Sequence, residues 1–254
     1  MPQDSRSFSN TQIFVELGGF AVGSVNSAEF PTSSSLNMKF GRGMSNMFLS
    51  WIYNSLKNGT VMDGSVVSTD YAGNVVYWDD WLRGRVSQIV FPAVDATSSA
   101  ALTISLSVQI ASVAQSSSHT GHYGRILSPG QKGFNSNQFK VVIDGVDACK
   151  WVSKVDALTV GGIGSGISGS PEMTVTVRES HAANFRTWLS SGNSPRSGSF
   201  QYLGPDLHLV YDLSFQAVTI NSISPAAPVS PVAPVTVRLQ TSGFEFSAAK
   251  KHHS

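Results

Sequence analysis

The most regular feature of the chain is an alternation of apolar and polar residues over 102–110. Leu102, Ile104, Leu106, Val108 and Ile110 alternate with Thr103, Ser105, Ser107 and Gln109. Successive side chains on a strand point to opposite faces, so the five aliphatics share one face and the hydroxyl and amide groups the other. A slip of one residue would expose all five, which specifies the register strongly. Burying each aliphatic contributes ~1.5–3 kcal/mol before the entropy of ordering it is counted. Shorter runs of the same kind are Leu36, Met38, Phe40; Met173, Val175, Val177; and Val235, Val237, Leu239.

Two segments carry the three- and four-residue spacing of a helix instead. Over 45–56 the stripe is Met47, Phe48, Trp51, Ile52 and Leu56, with Ser45 placed to cap the start and Gly59 to end the helix. Over 180–190 it is Phe185, Trp188 and Leu189, ended by Gly192. The rest reads as strands and turns, so the expected class is mainly β.

These pieces recur in order. The segment Phe14-Val-Glu-Leu-Gly-Gly resembles Phe139-Lys-Val-Val-Ile-Asp-Gly, an offset of 125 at the phenylalanine. Leu36/Met38/Phe40 pairs with Met173/Val175/Val177, and Phe48/Trp51 with Phe185/Trp188, at 137. Trp78-Asp79 pairs with Tyr211-Asp212, and Leu102/Ile104/Leu106 with Val235/Val237/Leu239, at 133. The two changes of offset fall at the loop GGIGSGISGSP (161–171) and around GNSPRSG after the second helix. Loops are where a duplicated fold tolerates length changes. The expectation is two tandem β domains, 11–113 and 138–248, joined by the Ser/Gly/Asn-rich linker 114–137. Each would be a small barrel or sandwich with one short helix over an open end.

Composition narrows the function. The chain has 254 residues, 41% hydrophobic and 13% charged, with net charge +1. That apolar share supports a core, while the charged fraction is roughly half the usual 25%. The scattered Lys and Arg do not track a phosphate backbone. Cys149 is the one cysteine, which excludes an intrachain disulfide and a cysteine zinc site. The N-terminal MPQDSRSFSN has no signal-like apolar core, and no apolar run is long enough for a membrane helix, so synthesis and folding in a cytoplasm are expected.

The chemical motifs are weak. The match to G-x-G-x-x-G at 164–169 is followed by Pro171 and a strand pattern rather than a helix. His119/His122 and His252/His253 lack nearby carboxylates. Asp79 and Asp80, as neighbours on a strand, point to opposite faces and make a poor acid/base pair. Asp63, Asp70 and Asp95 read as turn formers. No nucleophile elbow is present. The expectation is a non-enzymatic protein without cofactor or metal. An adhesive, glycan-binding pair of β domains is an alternative, in which Trp78 and Trp81 line a groove.

The order FVELGGFAVGSV, LNMKFGRGMS, FLSWI, DGSVVSTDYAGNVVYW, RVSQIVFPAVDATSSAALTISLSV resembles the tail tube proteins of contractile phages and related injection systems. The likeness covers most of 12–110, and haemolysin-coregulated proteins of type VI secretion are similar in fold. The resemblance implies β-barrel domains with a flanking helix, packed side by side around a channel, in rings that stack into a virion tail tube. Sheath, baseplate and tape-measure proteins would be the partners, with DNA or protein cargo in the lumen, and assembly would take place in the host cytoplasm. A tube initiator, hub or terminator is the alternative within the family. Two domains per chain favour three chains per ring with pseudo-sixfold symmetry, against six chains. Candidate inter-subunit or lumen residues are Arg42, Arg83, Arg85, Thr103, Ser105, Ser107, Gln109 and Arg238. The candidate inter-ring loop is Gly164, Ser165, Gly166 and Ser168. Phe48, Trp51, Leu102, Ile104, Leu106, Phe185 and Trp188 are the expected core.

Overall fold

The computed structural model describes residues 6–7, 12–70, 72–114, 133–161, 171–227 and 230–248. The chain is mainly β, with antiparallel sheets and, among the described residues, two α-helices. It divides into two compact units, neither continuous in sequence: Phe91–Leu102 belongs with the second unit, and the chain returns to the first at Thr103.

After a two-residue edge strand, Arg6–Ser7, which pairs with Phe30 and Glu29, the first unit continues with β1 (Gln12–Leu17), β2 (Phe20–Val25), β3 (Ser27–Thr32) and β4 (Ser35–Phe40). Helix α1 (Asn46–Asn58), β5 (Met62–Thr69) and β6 (Val75–Phe91) follow. Two short strands, β7 (Val94–Asp95) and β8 (Ala101–Leu102), lie in the second unit before the chain returns to the first with β9 (Ile104–Gln109) and β10 (Ser112–Ala114). The hydrogen-bonded order is β3-β4-β9-β6-β5-β1-β2, with β10 set against β6. β2 returns beside β4, so this sheet nearly closes.

The alternation places the core as expected. Ile104, Leu106 and Val108 lie opposite Phe40, Met38 and Leu36, and all six are buried. Helix α1 adds buried Phe48, Leu49, Trp51, Ile52 and Leu56. The Phe48 ring meets Phe40 edge-on, with centroids 5.2 Å apart, a favoured arrangement of aromatic quadrupoles. The Ser45 hydroxyl accepts the Phe48 N–H at 3.3 Å, and Gly59 at φ 68° ends the helix. Met47 departs from the expected stripe and is exposed. The buried arc centres between Phe48 and Ile52, which brings Leu49 under the sheet and leaves Met47 beyond its far side.

The second unit contains β11 (Phe134–Asn135), β12 (Phe139–Ile143), a 3-10 turn (Asp147–Trp151), β13 (Lys154–Val155) and β14 (Glu172–Arg178). Helix α2 (Ala183–Ser190), β15 (Arg196–Leu203), β16 (Leu209–Ser224), β17 (Pro234–Ser242) and β18 (Glu245–Ala248) follow. Its order is β12-β15-β16-β17-β14-β13-β7, with β18 on β16. Phe185 and Trp188 of α2 are buried, while Leu189 is exposed. Residues 179–181 form a 3-10 turn rather than the first turn of the expected helix.

The continuous strand expected over 102–110 is two strands. It breaks at Thr103, and Leu102 is only half-buried, paired with Phe134 of the second unit. Alternation reports which face a side chain takes, not which strand lies beside it, so the hand-over left no mark on the pattern. The same departure moves 91–102 out of the expected first domain, 11–113. Val94 pairs with Val155, the Tyr202 hydroxyl donates to Pro92 O at 2.8 Å, and Phe91 packs on Tyr202, Phe244 and Phe246.

Strand for strand the units share one topology: β3-β4-β9-β6-β5-β1 in the first and β13-β14-β17-β16-β15-β12 in the second. Their irregularities coincide. The β5–β6 register shifts between Met62 and Gly64 and between Ser68 and Thr69; the β15–β16 register shifts between Arg196 and Gly198 and between Tyr202 and Leu203, each 134 residues on. A bulge at Ser87 in β6 recurs at Asn221 in β16, again 134 on. These registers correct the sequence alignment. Tyr77, not Trp78, corresponds to Tyr211; Ile13, not Phe14, corresponds to Phe139 at 126; and Ile104, not Leu102, corresponds to Val235 at 131. A one-residue error exchanges the two faces of a strand, and the look-alike pairs Trp-Asp and Tyr-Asp concealed it.

Candidate functional site

In each unit the face opposite the core is a polar surface, on four adjacent strands in the first and three in the second. In the first, β9 presents Ser105, Ser107 and Gln109, flanked on β4 by Lys39, Asn37 and Ser35, which lie directly opposite them. Glu29 of β3 extends the row from Asn37, and Gln88 of β6 lies across from Ser107. Ser105 and Ser107 are half-exposed; Gln109, Asn37, Lys39, Glu29 and Gln88 are exposed. Arg85 reaches across the strands and donates from Nη2 to Gln109 Oε1 at 2.9 Å, and Ser87 donates to Ser107 O at 3.2 Å.

The second unit builds the matching surface from β14 and β17. Thr174 lies opposite Arg238, Thr176 opposite Thr236 and Glu172 opposite Gln240. Arg238 is exposed and also faces Ser222 of β16. Glu172 accepts from Asn221 Nδ2 at 3.1 Å. Both surfaces arise from the same cause: period-two strands bury one row and leave a row of hydroxyl, amide and charged groups to water.

Of the residues singled out in the sequence, Arg85, Ser105, Ser107 and Gln109 meet on one surface, and Arg238 stands on its counterpart. Arg83 does not join them: it is exposed at a bend with φ 52°, its N–H held by Asp63 Oδ1 at 2.7 Å. Arg42 is half-buried after β4, and Thr103 sits at the strand break. Gly164, Ser165, Gly166 and Ser168, and the four linker and tail histidines, lie outside the described residues. Lys39, Asn37 and Glu29 were missed; their alternation with Leu36, Met38 and Ala28 was the available signal.

The carboxylates behave as turn and strand residues. Asp79 is buried and accepts the Tyr77 hydroxyl at 2.8 Å, whereas Asp80 accepts the Ser65 hydroxyl at 2.6 Å from the other face. Asp70 accepts the N–H and the side-chain amide of Asn74. These bonds, the side-chain one foremost, hold its carboxyl below the ordinary aspartate value. The tryptophans of the adhesive alternative do not make a groove. Trp81 is fully buried, its Nε1 donating to Met62 O at 3.3 Å, and Trp78 packs against Phe14 and Val67.

No family model matches the chain, and no curated protein matches it.

Proposed function

We propose that the chain is a structural subunit that self-associates into stacked rings, forming the inner tube of a phage or phage-like contractile injection system. The carrying observation is the pair of equivalent units, each with a polar sheet face of hydroxyl and amide groups among a few charges of both signs, and an apolar core directly behind it. A tube wall needs that arrangement: a hydrated face of hydroxyl and amide groups for passing DNA or protein, with little net charge to hold it, and strand edges closed by neighbours. With two such units per chain, three chains complete six positions. Sheath, baseplate and tape-measure proteins are the partners that this reading predicts, in a virion tail assembled in the host cytoplasm.

Negative-stain microscopy of the purified chain, with native mass measurement of single rings, tests the reading. Long tubes with a central channel, built from rings of three chains, are expected. Discrete monomers at high concentration would overturn it, and rings of six chains would overturn the pseudo-sixfold arrangement.

A further inference from the structure

Beyond the strand order that the two units share, one element differs. In the first unit β1 is followed by the strand β2, which packs tightly beside the start of α1. The Ser45 N–H donates to Val22 O at 2.7 Å, and a Cβ at Gly23 would overlap the Met44 sulfur. In the second unit β12 is followed instead by the 3-10 turn Asp147–Trp151, which packs against α2. That turn and residues 180–184 leave a surface pocket of about 250 Å³ between them.

Trp151 lines the pocket and, among the described residues, is the one exposed tryptophan, with 51% of its surface in water. Its indole stacks parallel on the His181 ring, with centroids 4.4 Å apart and 7° between planes. The stack covers one face of the indole and holds the ring, and the exposed area leaves the other face open. A large aromatic surface left in water is an unusual feature to keep, and one already held by a partner loses little further freedom when a ligand lands on it. The rim is polar: Asp147, Lys150, Ser180 and Asn184 are all exposed. Its one carboxylate and one ammonium balance, so neither an anion nor a cation is favoured by the rim as a whole. Asp147 accepts hydrogen bonds, Lys150 donates them, and Ser180 and Asn184 do both.

We infer that this pocket binds a neutral monosaccharide in its ring form, with one carbon–hydrogen face of the pyranose against Trp151 and its hydroxyls on Asp147, Lys150, Ser180 and Asn184. A pyranose joins a flat apolar face to a girdle of hydroxyls, each both donor and acceptor, which matches an indole inside a rim of mixed donors and acceptors. A purely apolar ring would suit the indole and leave the rim groups unpaired. An open-chain polyol would suit the rim and leave the indole in water. The volume lies just below the roughly 300–1,000 Å³ of ordinary small-molecule sites, which fits one sugar ring. The pocket lies within the second unit alone and does not depend on how chains assemble.

Titration of the isotope-labelled full chain with D-glucose and D-galactose, read on the indole N–H signals and by saturation-transfer NMR, tests this. Saturable millimolar binding of at least one hexose is expected, with the Trp151 indole signal shifting most and the protons of one ring face saturated most. Sorbitol, which has the hydroxyls without the ring face, should bind several-fold more weakly. D-Glucuronate and D-glucosamine should bind no tighter than glucose. Trp151→Ala is expected to weaken binding by about tenfold (~1.4 kcal/mol), and Trp151→Phe to retain most of it. Asn184→Ala, at an exposed position, should keep the melting temperature and weaken binding several-fold. The site is overturned by an absence of saturable binding of either hexose, by a shift centred on another tryptophan, or by undiminished binding in Trp151→Ala or Asn184→Ala. A neutral ring ligand is overturned if sorbitol binds as tightly as the hexoses, or if glucuronate or glucosamine binds much more tightly.

Discussion

The hydroxyl of Ser55, in the last turn of α1, accepts the backbone N–H of Val86 at 2.7 Å and donates to Thr60 O at 2.8 Å. Val86 stands next to the bulge at Ser87. In the second unit the residue 134 positions on, Ile220, donates its N–H to Asn193 Oδ1 at 2.8 Å, beside the bulge at Asn221. A bulge leaves a ladder group unpaired, and burying that group unsatisfied is costly. Both units answer with a polar side chain, a serine in the last turn of α1 in one and an asparagine three residues beyond α2 in the other.

Removing the Ser55 hydroxyl therefore strands a buried N–H. Ser55→Ala is expected to lower stability by ~1–3 kcal/mol, read as an earlier urea midpoint. Exposed Ser50→Ala should stay within about 0.5 kcal/mol of the native chain. Equal midpoints for the two variants would show that the hydrogen bond contributes nothing.

Trp81 fits only because Gly64 and Gly84 flank it; a Cβ at either would overlap the indole. Gly84→Ala is expected to cost about 1–3 kcal/mol through overpacking and to alter the tryptophan emission of the folded chain. At Gly19, where φ is +82° and the space is open, alanine should leave that emission unchanged and cost only the backbone term of about 1–2 kcal/mol.

Leu207 is exposed at a hairpin tip with φ 60°, and the equivalent residue of the first unit is Gly73, with φ 85°. A left-handed leucine carries about 1–2 kcal/mol of strain, partly offset in a glycine variant by greater unfolded-state freedom. Leu207→Gly should thus be neutral or stabilising by up to about 1 kcal/mol. A clear loss in thermal melts of the dilute chain would contradict this.

Hydrogen bonds from the Thr97 hydroxyl and then its N–H, with Lys154 adding attraction, hold the Asp95 carboxyl below its ordinary value. A depressed folded-state value stabilises the fold above the unfolded value, and that contribution disappears as pH falls through the folded one. Carboxyl NMR titration should place the Asp95 midpoint below that of an unstructured aspartate, and Thr97→Val should move it upward. Cys149 lies at the opposite extreme: burial pushes its thiol up to about 12. A thiol reagent at pH 8 should label it only as fast as the chain unfolds, because the thiolate is the reactive form; rapid labelling of the native protein would contradict its burial.

Alternation along the chain dictated the faces. The rows Leu36/Met38/Phe40, Ile104/Leu106/Val108, Met173/Val175/Val177 and Val235/Val237/Leu239 are buried where alternation puts them, and their polar neighbours form the exposed surfaces. Helix α1 with its caps was legible as well, because period, cap chemistry and left-handed glycine are local properties of the chain. Neighbours were decided only by the tertiary structure. Leu102 continues the alternation of Ile104 yet pairs in the other unit, and Tyr77 rather than Trp78 answers Tyr211. Those outcomes rest on hydrogen-bond register between strands far apart in sequence, on bulges that shift it by one, and on an N–H of Val86 seeking a partner 31 residues away. Local periodicity is blind to all three, and so it was blind to Trp151, whose partner His181 is brought to it by the fold alone.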